Sequence, residues 1–167
     1  MQKMPTYTWV VVLMTLLLST SLEAQKKEFS EGKQPYINWI SFEQLQDSLA
    51  VKPKKVFIDF YADWCAYCKK MDKVVFTKSE VISLLNQDYY AVRFNAESEE
   101  KVNFGGQTFV NDQIGKSRSP VHQIAQLLAL RNGQFTAPTL VLLDEDFKVR
   151  ARYFQYLDSR RLLEILE

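Results

Sequence analysis

Both cysteines of the chain fall in one hexapeptide, Trp64-Cys65-Ala66-Tyr67-Cys68-Lys69, directly after the apolar run Val56-Phe57-Ile58-Asp59-Phe60-Tyr61. So continuous a run of bulky residues suits a central strand covered on both faces. From Ala66 onward the apolar positions Cys68, Met71 and Val75 carry helical periodicity. A strand running straight into a helix puts Cys65 at the helix N-terminus, where unpaired backbone N–H groups and the helix dipole favour a thiolate. Cys68 lies one turn on, on the same face, with Cβ atoms roughly 5 to 6 Å apart. A small rotation then closes a disulfide of about 2.05 Å. The arrangement implies redox chemistry and requires the sulfur pair to be reachable from outside.

With 167 residues, 47% hydrophobic and 25% charged, the chain has the composition of one domain with a proper core. Lys+Arg 21 against Asp+Glu 20 leaves a formal net charge of +1, which supplies no bulk field for nucleic acid or an acidic membrane surface. Neither is an expected partner, and a monomer is. Both cysteines sit in one motif, so no disulfide staples distant parts of the fold. Zinc normally takes four ligands, and the single histidine, His122, is the other candidate. The pair therefore reads as redox rather than as half a metal site, and His122 as a surface or packing residue.

Lys3 precedes an apolar stretch from Trp9 to Leu18, followed by Ser19-Thr20-Ser21-Leu22-Glu23-Ala24. This reads as a signal peptide over residues 1–24, with Ala24 a suitable small residue before the cut and Leu22 a less suitable one. The apolar run falls short of the roughly 20 residues that cross a bilayer; an uncleaved anchor is the rival reading. Residues 25–35 form a polar, flexible leader, and the domain occupies 36–167. Export makes the mature chain periplasmic or secreted. An oxidising compartment keeps a C-x-x-C closed unless electrons are supplied, so direction of electron flow becomes a real question.

Along the domain, Ser41 and Gln44 make a capping box ahead of a short helix that buries Phe42, Leu45 and Leu49 and ends at Lys52-Pro53-Lys54. Lys55 to Tyr61 is the central strand. Ser79 is expected to cap a helix from Glu80 to Gln87, and Tyr89 to Asn95 is a strand. In the segment 96–136, Gly105-Gly106 suggests a two-residue turn between short strands. Gly115 to Pro120 is a loop, and a helix from Val121 to Leu130 is stopped by Asn132-Gly133. Thr139 to Leu143 is a buried strand that turns through Asp144-Glu145-Asp146 into a strand from Phe147 to Phe154. Asp158 or Ser159 caps a last amphipathic helix. Helices on both faces of a mixed sheet follow, an α/β architecture.

The stretch Asp59-Phe60-Tyr61-Ala62-Asp63-Trp64-Cys65-Ala66-Tyr67-Cys68-Lys69, with Ala137-Pro138-Thr139 at the start of a later strand, resembles the thioredoxin superfamily. The pattern Tyr-Ala-Asp-Trp-Cys-x-x-Cys-Lys-x-Met is similar to secreted bacterial thioredoxin-like proteins and to the C-terminal domain of the transmembrane thiol-disulfide interchange reductase. The resemblance implies a thioredoxin fold, a central mixed β-sheet flanked by helices, with the segment 96–136 an insertion before the cis-proline strand. It implies Cys65 as attacking thiolate, Cys68 as resolving thiol and Asp59 as the buried carboxylate that takes the resolving thiol's proton. Pro138 would be the cis-proline, with Ala137 beside it presenting backbone to substrate. Trp64, Ala66 and Tyr67 would contact substrate, and Arg93 falls where the family often has a lysine near the acid.

By the same resemblance the chain needs no cofactor beyond the Cys65–Cys68 disulfide. Its partners would be protein disulfides and an upstream thiol electron donor, a membrane reductase being one candidate. Ala66-Tyr67 replaces the Gly-Pro of common reductases, and no histidine lies between the cysteines, which argues against a powerful oxidant. Phe154-Gln155-Tyr156 stands where the family often has a glycine. The expectation is an extracytoplasmic thiol-disulfide oxidoreductase that reduces protein disulfides. Disulfide isomerisation, or client binding by a holdase with a redox latch, are the alternatives.

Overall fold

The structure, a computed structural model, describes residues 35–167. The signal-peptide reading and almost all of the leader lie outside the described residues. Strand β1, Trp39–Ile40, leads into helix α1, Phe42–Val51. Ser41 starts it with a reciprocal box: its Oγ accepts the Gln44 N–H at 3.2 Å, and its own N–H donates to Gln44 Oε1 at 2.9 Å. Strand β2, Lys55–Tyr61, runs into helix α2, Ala66–Val74. Helix α3 follows, Ser79–Asp88, then strand β3, Tyr89–Asn95.

Ser79 does not cap α3. The Lys78 N–H is held by Val75 O and the Lys78 carbonyl accepts the Ile82 N–H, so the carry-over turn from α2 starts the helix one residue early. Lys78 occupies the cap position without a side-chain bond.

Strand β3 lies parallel between β1 and β2, while strands β8, Thr139–Leu143, and β9, Val149–Tyr153, complete the sheet antiparallel in the order β1-β3-β2-β8-β9. The last strand is shorter than the expected 147–154 because Asp144 Oδ1 accepts the N–H groups of Asp146 and Lys148, holding Phe147 in the turn at φ 60°. Helix α5, Ser159–Leu166, is capped by Asp158, whose Oδ1 accepts the Arg161 N–H.

Side chains alternate across β2, which gives each face its own core. Phe57 faces α2, α3 and α5, with Met71, Val75, Leu85 and Leu162. Val56, Ile58 and Phe60 face α1 and helix α4, Gln123–Ala129, with Phe42, Leu45 and Ile124. Asp59 shares the first face with Phe57.

In the segment 96–136, strands β4, Val102–Phe104, and β5, Gln107–Phe109, form the expected hairpin across Gly105-Gly106, both at positive φ as a tight primed turn requires. The hairpin docks on α1: the Asn103 N–H donates to Glu43 Oε1, the Gly105 N–H to Gln46 Oε1, and the Phe104 ring lies 5.6 Å from that of Phe42.

Helix α4 is shorter than the expected Val121–Leu130. His122 leaves helical geometry to cap it, and Leu130 turns into a second hairpin, β6 (Leu130–Arg131) with β7 (Gln134–Phe135). Asn132-Gly133, expected as a helix stop, is that hairpin's turn, both residues at positive φ.

Candidate active site

Cys65 caps α2: its Sγ accepts the Cys68 N–H at 3.0 Å. Cys65 and Cys68 are joined by a disulfide, with S–S 2.15 Å and Cα–Cα 5.3 Å. The first sulfur thus sits where the helix N-terminus stabilises negative charge once the bond is reduced. Access is tighter than the motif alone suggests. Each cysteine is 3% exposed, packed with Ala62 and against Tyr61 and Ala137. The edges of the site are open instead, with Trp64 62% and Tyr67 60% exposed and Ala66 exposed between the sulfurs.

Asp59 is 1% exposed. Register puts it opposite Arg93 on β3, whose Nε stands 3.3 Å from Asp59 Oδ2. The Arg93 Nη2 turns to Asp72 on α2, at 2.7 Å from Oδ1 and 2.8 Å from Oδ2. Arg93 also packs on the Tyr61 ring, 4.5 Å from its centroid. Among the described residues no donor hydrogen-bonds Asp59 Oδ1. Burial pushes the Asp59 carboxyl up to about 7; Arg93 pulls it down and Asp72 adds to the rise. A group with that affinity both takes and returns a proton near neutrality. Asp72 escaped the sequence reading, although it lies four residues past Cys68 on the same helix face.

Two further side chains frame the site. The Trp64 Nε1–H donates to Glu97 Oε1 at 3.0 Å, while the Tyr67 ring lies 5.9 Å from that of Tyr156, over which Lys70 Nζ stands at 4.7 Å. The Ala137–Pro138 peptide bond is cis, at the entry to β8.

His122 is not brought to the cysteines; it is wholly buried, the packing role of the two expected for it. Its Nδ1 accepts the Ile124 N–H, its Nε2 bonds Glu100 O at 3.0 Å, and its ring meets Phe94 edge to face. No group of three or more His, Cys, Asp or Glu among the described residues is placed to hold a metal ion. No helix among them is long and apolar enough to cross a membrane.

The chain has relatives among known proteins. The chain is 38% identical over 71 residues to the "Thiol:disulfide interchange protein DsbD" of Vibrio vulnificus (strain YJ016), spanning 41% of this chain and 11% of that protein. It is 25% identical over 102 residues to the "Protein disulfide isomerase-like 5-2" of Oryza sativa subsp. japonica, spanning 58% and 24%. The chain therefore covers a minor share of these relatives' length. Among solved structures, a DsbH oxidoreductase superposes with a TM-score of 0.55 at 17% identity, covering 80% of this chain and 84% of that one. A thioredoxin from Thermus thermophilus also gives 0.55, at 19% identity, covering 78% and 85%. The sheet order, the flanking helices and these likenesses make the fold that of thioredoxin. A family profile for the thioredoxin-like domain matches residues 42–167, and the chain belongs to that family.

Proposed function

We propose that this chain is an extracytoplasmic thiol-disulfide oxidoreductase that reduces protein disulfides. The observation that carries the reading is the Cys65–Cys68 pair at the start of α2, with Cys65 Sγ accepting the Cys68 N–H. In the reduced chain the Cys65 thiolate attacks one sulfur of a substrate disulfide, forming a mixed disulfide and releasing the other sulfur as thiolate. The Cys68 thiol passes its proton to the Asp59 carboxylate, and the resulting thiolate attacks Cys65 Sγ. That closes the intramolecular disulfide and expels the second substrate sulfur. Two electrons have moved from the dithiol to the substrate, and an upstream thiol donor restores the dithiol.

Trp64, Ala66 and Tyr67 on one side, and Ala137 beside the buried Pro138 on the other, are the groups a substrate polypeptide meets. With each cysteine 3% exposed, the way in to the sulfurs is narrow. Export is supported by Lys3, the Trp9 to Leu18 stretch and Ala24. The test is insulin reduction by the dithiol form. The parent chain turns over and Cys65→Ser does not; equal rates refute catalysis by this motif. Cys68→Ser accumulates the mixed disulfide, visible as a covalent adduct under non-reducing conditions.

A further inference from the structure

We infer that the open groove running from Trp64 to the β6–β7 hairpin is a subsite for a basic side chain of the polypeptide whose disulfide is reduced. This rests on the proposed reduction of protein disulfides and names a class within it. The groove holds about 540 Å³, within the usual span of ligand sites. Two of its walls belong to the reactive centre: Trp64 precedes Cys65, and Phe135 stands two residues before Ala137, which packs on the cysteines. A substrate docked by its disulfide therefore lays nearby residues along this groove, at roughly 3.3 to 3.6 Å per extended residue.

The lining mixes apolar residues such as Leu130 and Phe135 with polar ones, among which Glu97 carries the one ionisable side chain, beside Ser119, Gln126 and Gln134. Glu97 is held for use. Its N–H donates to Asn95 Oδ1 at 2.9 Å, Asn95 Nδ2 is tied to Asp63 Oδ2 at 3.1 Å, and its Oε1 accepts the Trp64 indole N–H. The second carboxylate oxygen, Oε2, is left to receive a guanidinium or ammonium without first reordering. Gln126 donates its amide to Val121 O, which leaves its carbonyl oxygen as a second acceptor. Lys116 and Arg118 lie in the neighbouring loop but outside the lining, so the opposite preference is a genuine competitor.

The test uses the reduced chain and three synthetic peptides with one internal disulfide each, differing only in a residue two to four positions from the attacked cysteine: Arg, Gln or Glu. Expected is a kcat/KM for the Arg peptide about two- to fivefold above the Gln peptide, as a partly exposed ion pair allows, with the Glu peptide below both. The ratio shrinks as ionic strength rises. Glu97→Gln, which keeps an oxygen for the Trp64 N–H, brings the Arg-to-Gln ratio to about one. Gln134→Lys, a second variant, inverts it. Because each ratio is read within one variant, changes in overall rate cancel. Equal rates for all three peptides, a preference for Glu, or a ratio untouched by Glu97→Gln overturns the subsite alone. Failure of the parent chain to reduce any of them overturns the proposed function, and the subsite with it.

Discussion

Arg93 stands directly opposite Asp59 across the β2–β3 ladder, yet gives its Nη2 to Asp72 and turns only its Nε toward Asp59, 3.3 Å away. The buried acid thus has a cation beside it without the hydrogen bonds that would fully satisfy its charge. Burial wins over the ion pair, which is why the carboxyl titrates near 7 rather than near 3.8.

Asp59→Asn is expected to stabilise the oxidised protein at alkaline pH. Folding raises this carboxyl's proton affinity, so its contribution is full below about 3.8 and is lost as pH climbs to about 7. The asparagine variant has no such loss. Its advantage should grow across that window and level off above it, on the order of 4 kcal/mol by the 1.36 kcal/mol per pH unit relation. Urea unfolding of both proteins at pH 4, 6 and 8.5 checks this; a constant difference at all three refutes the buried-acid assignment.

The clamp itself can be read at Asp59. Replacing Arg93 by Gln removes the attraction and should move the Asp59 midpoint up by about one pH unit. Asp72→Asn should move it down, since it deletes a like charge and frees the guanidinium for Asp59. Carboxyl-carbon NMR titration of the three proteins reports the order directly. Shifts of the same sign in both variants would show that Asp72 acts only on packing.

His122 is a buried neutral base. Its Nδ1 accepts the Ile124 N–H and so carries no proton, leaving Nε2–H to donate to Glu100 O. Burial lowers its pKa below the ordinary 6.5, against the hydrogen bonds to the Glu100 and Phe109 backbone. Stability is therefore full above about 6.5 and declines as pH falls below that value, because the unfolded chain takes up the proton first. His122→Gln should flatten this decline between pH 7 and pH 5 while costing about 1 to 2 kcal/mol at pH 7 through the lost cap. Parallel pH slopes for the two proteins count against it.

Phe42 joins α1, the sheet and the β4–β5 hairpin, with its ring 6.3, 5.5 and 5.6 Å from those of Phe60, Phe94 and Phe104. Phe42→Ala should cost about 3 to 5 kcal/mol in chemical denaturation. It should also speed hydrogen exchange at the amides of β4 and β5. Exchange there unchanged would mean that Glu43 and Gln46, not the ring, hold the hairpin.

Local chemistry made much of this readable. The Ser41–Gln44 box, the apolar run of β2, the periodicity of α2 and the Gly105-Gly106 turn each depend on residues within one turn or one ladder step. Where the reading failed, a competing backbone contact won. Ser79 lost its capping role to the carry-over turn after Val75, and Asn132-Gly133 became a hairpin turn because Leu130 found a partner in Phe135. His122 took the packing role of the two expected, its ring edge to face on Phe94.

Chain order alone dictated that two sulfurs would meet at the head of a helix fed by a buried strand, since that follows from a spacing of three residues and the backbone geometry of a helix. Which groups surround them was decided in three dimensions. Strand register set Arg93 beside Asp59, helix packing brought Asp72 to the same cation, and the segment after β3 carried Glu97 to Trp64, 33 residues away along the chain. Such pairings depend on how strands and helices align, and residue spacing does not encode that alignment.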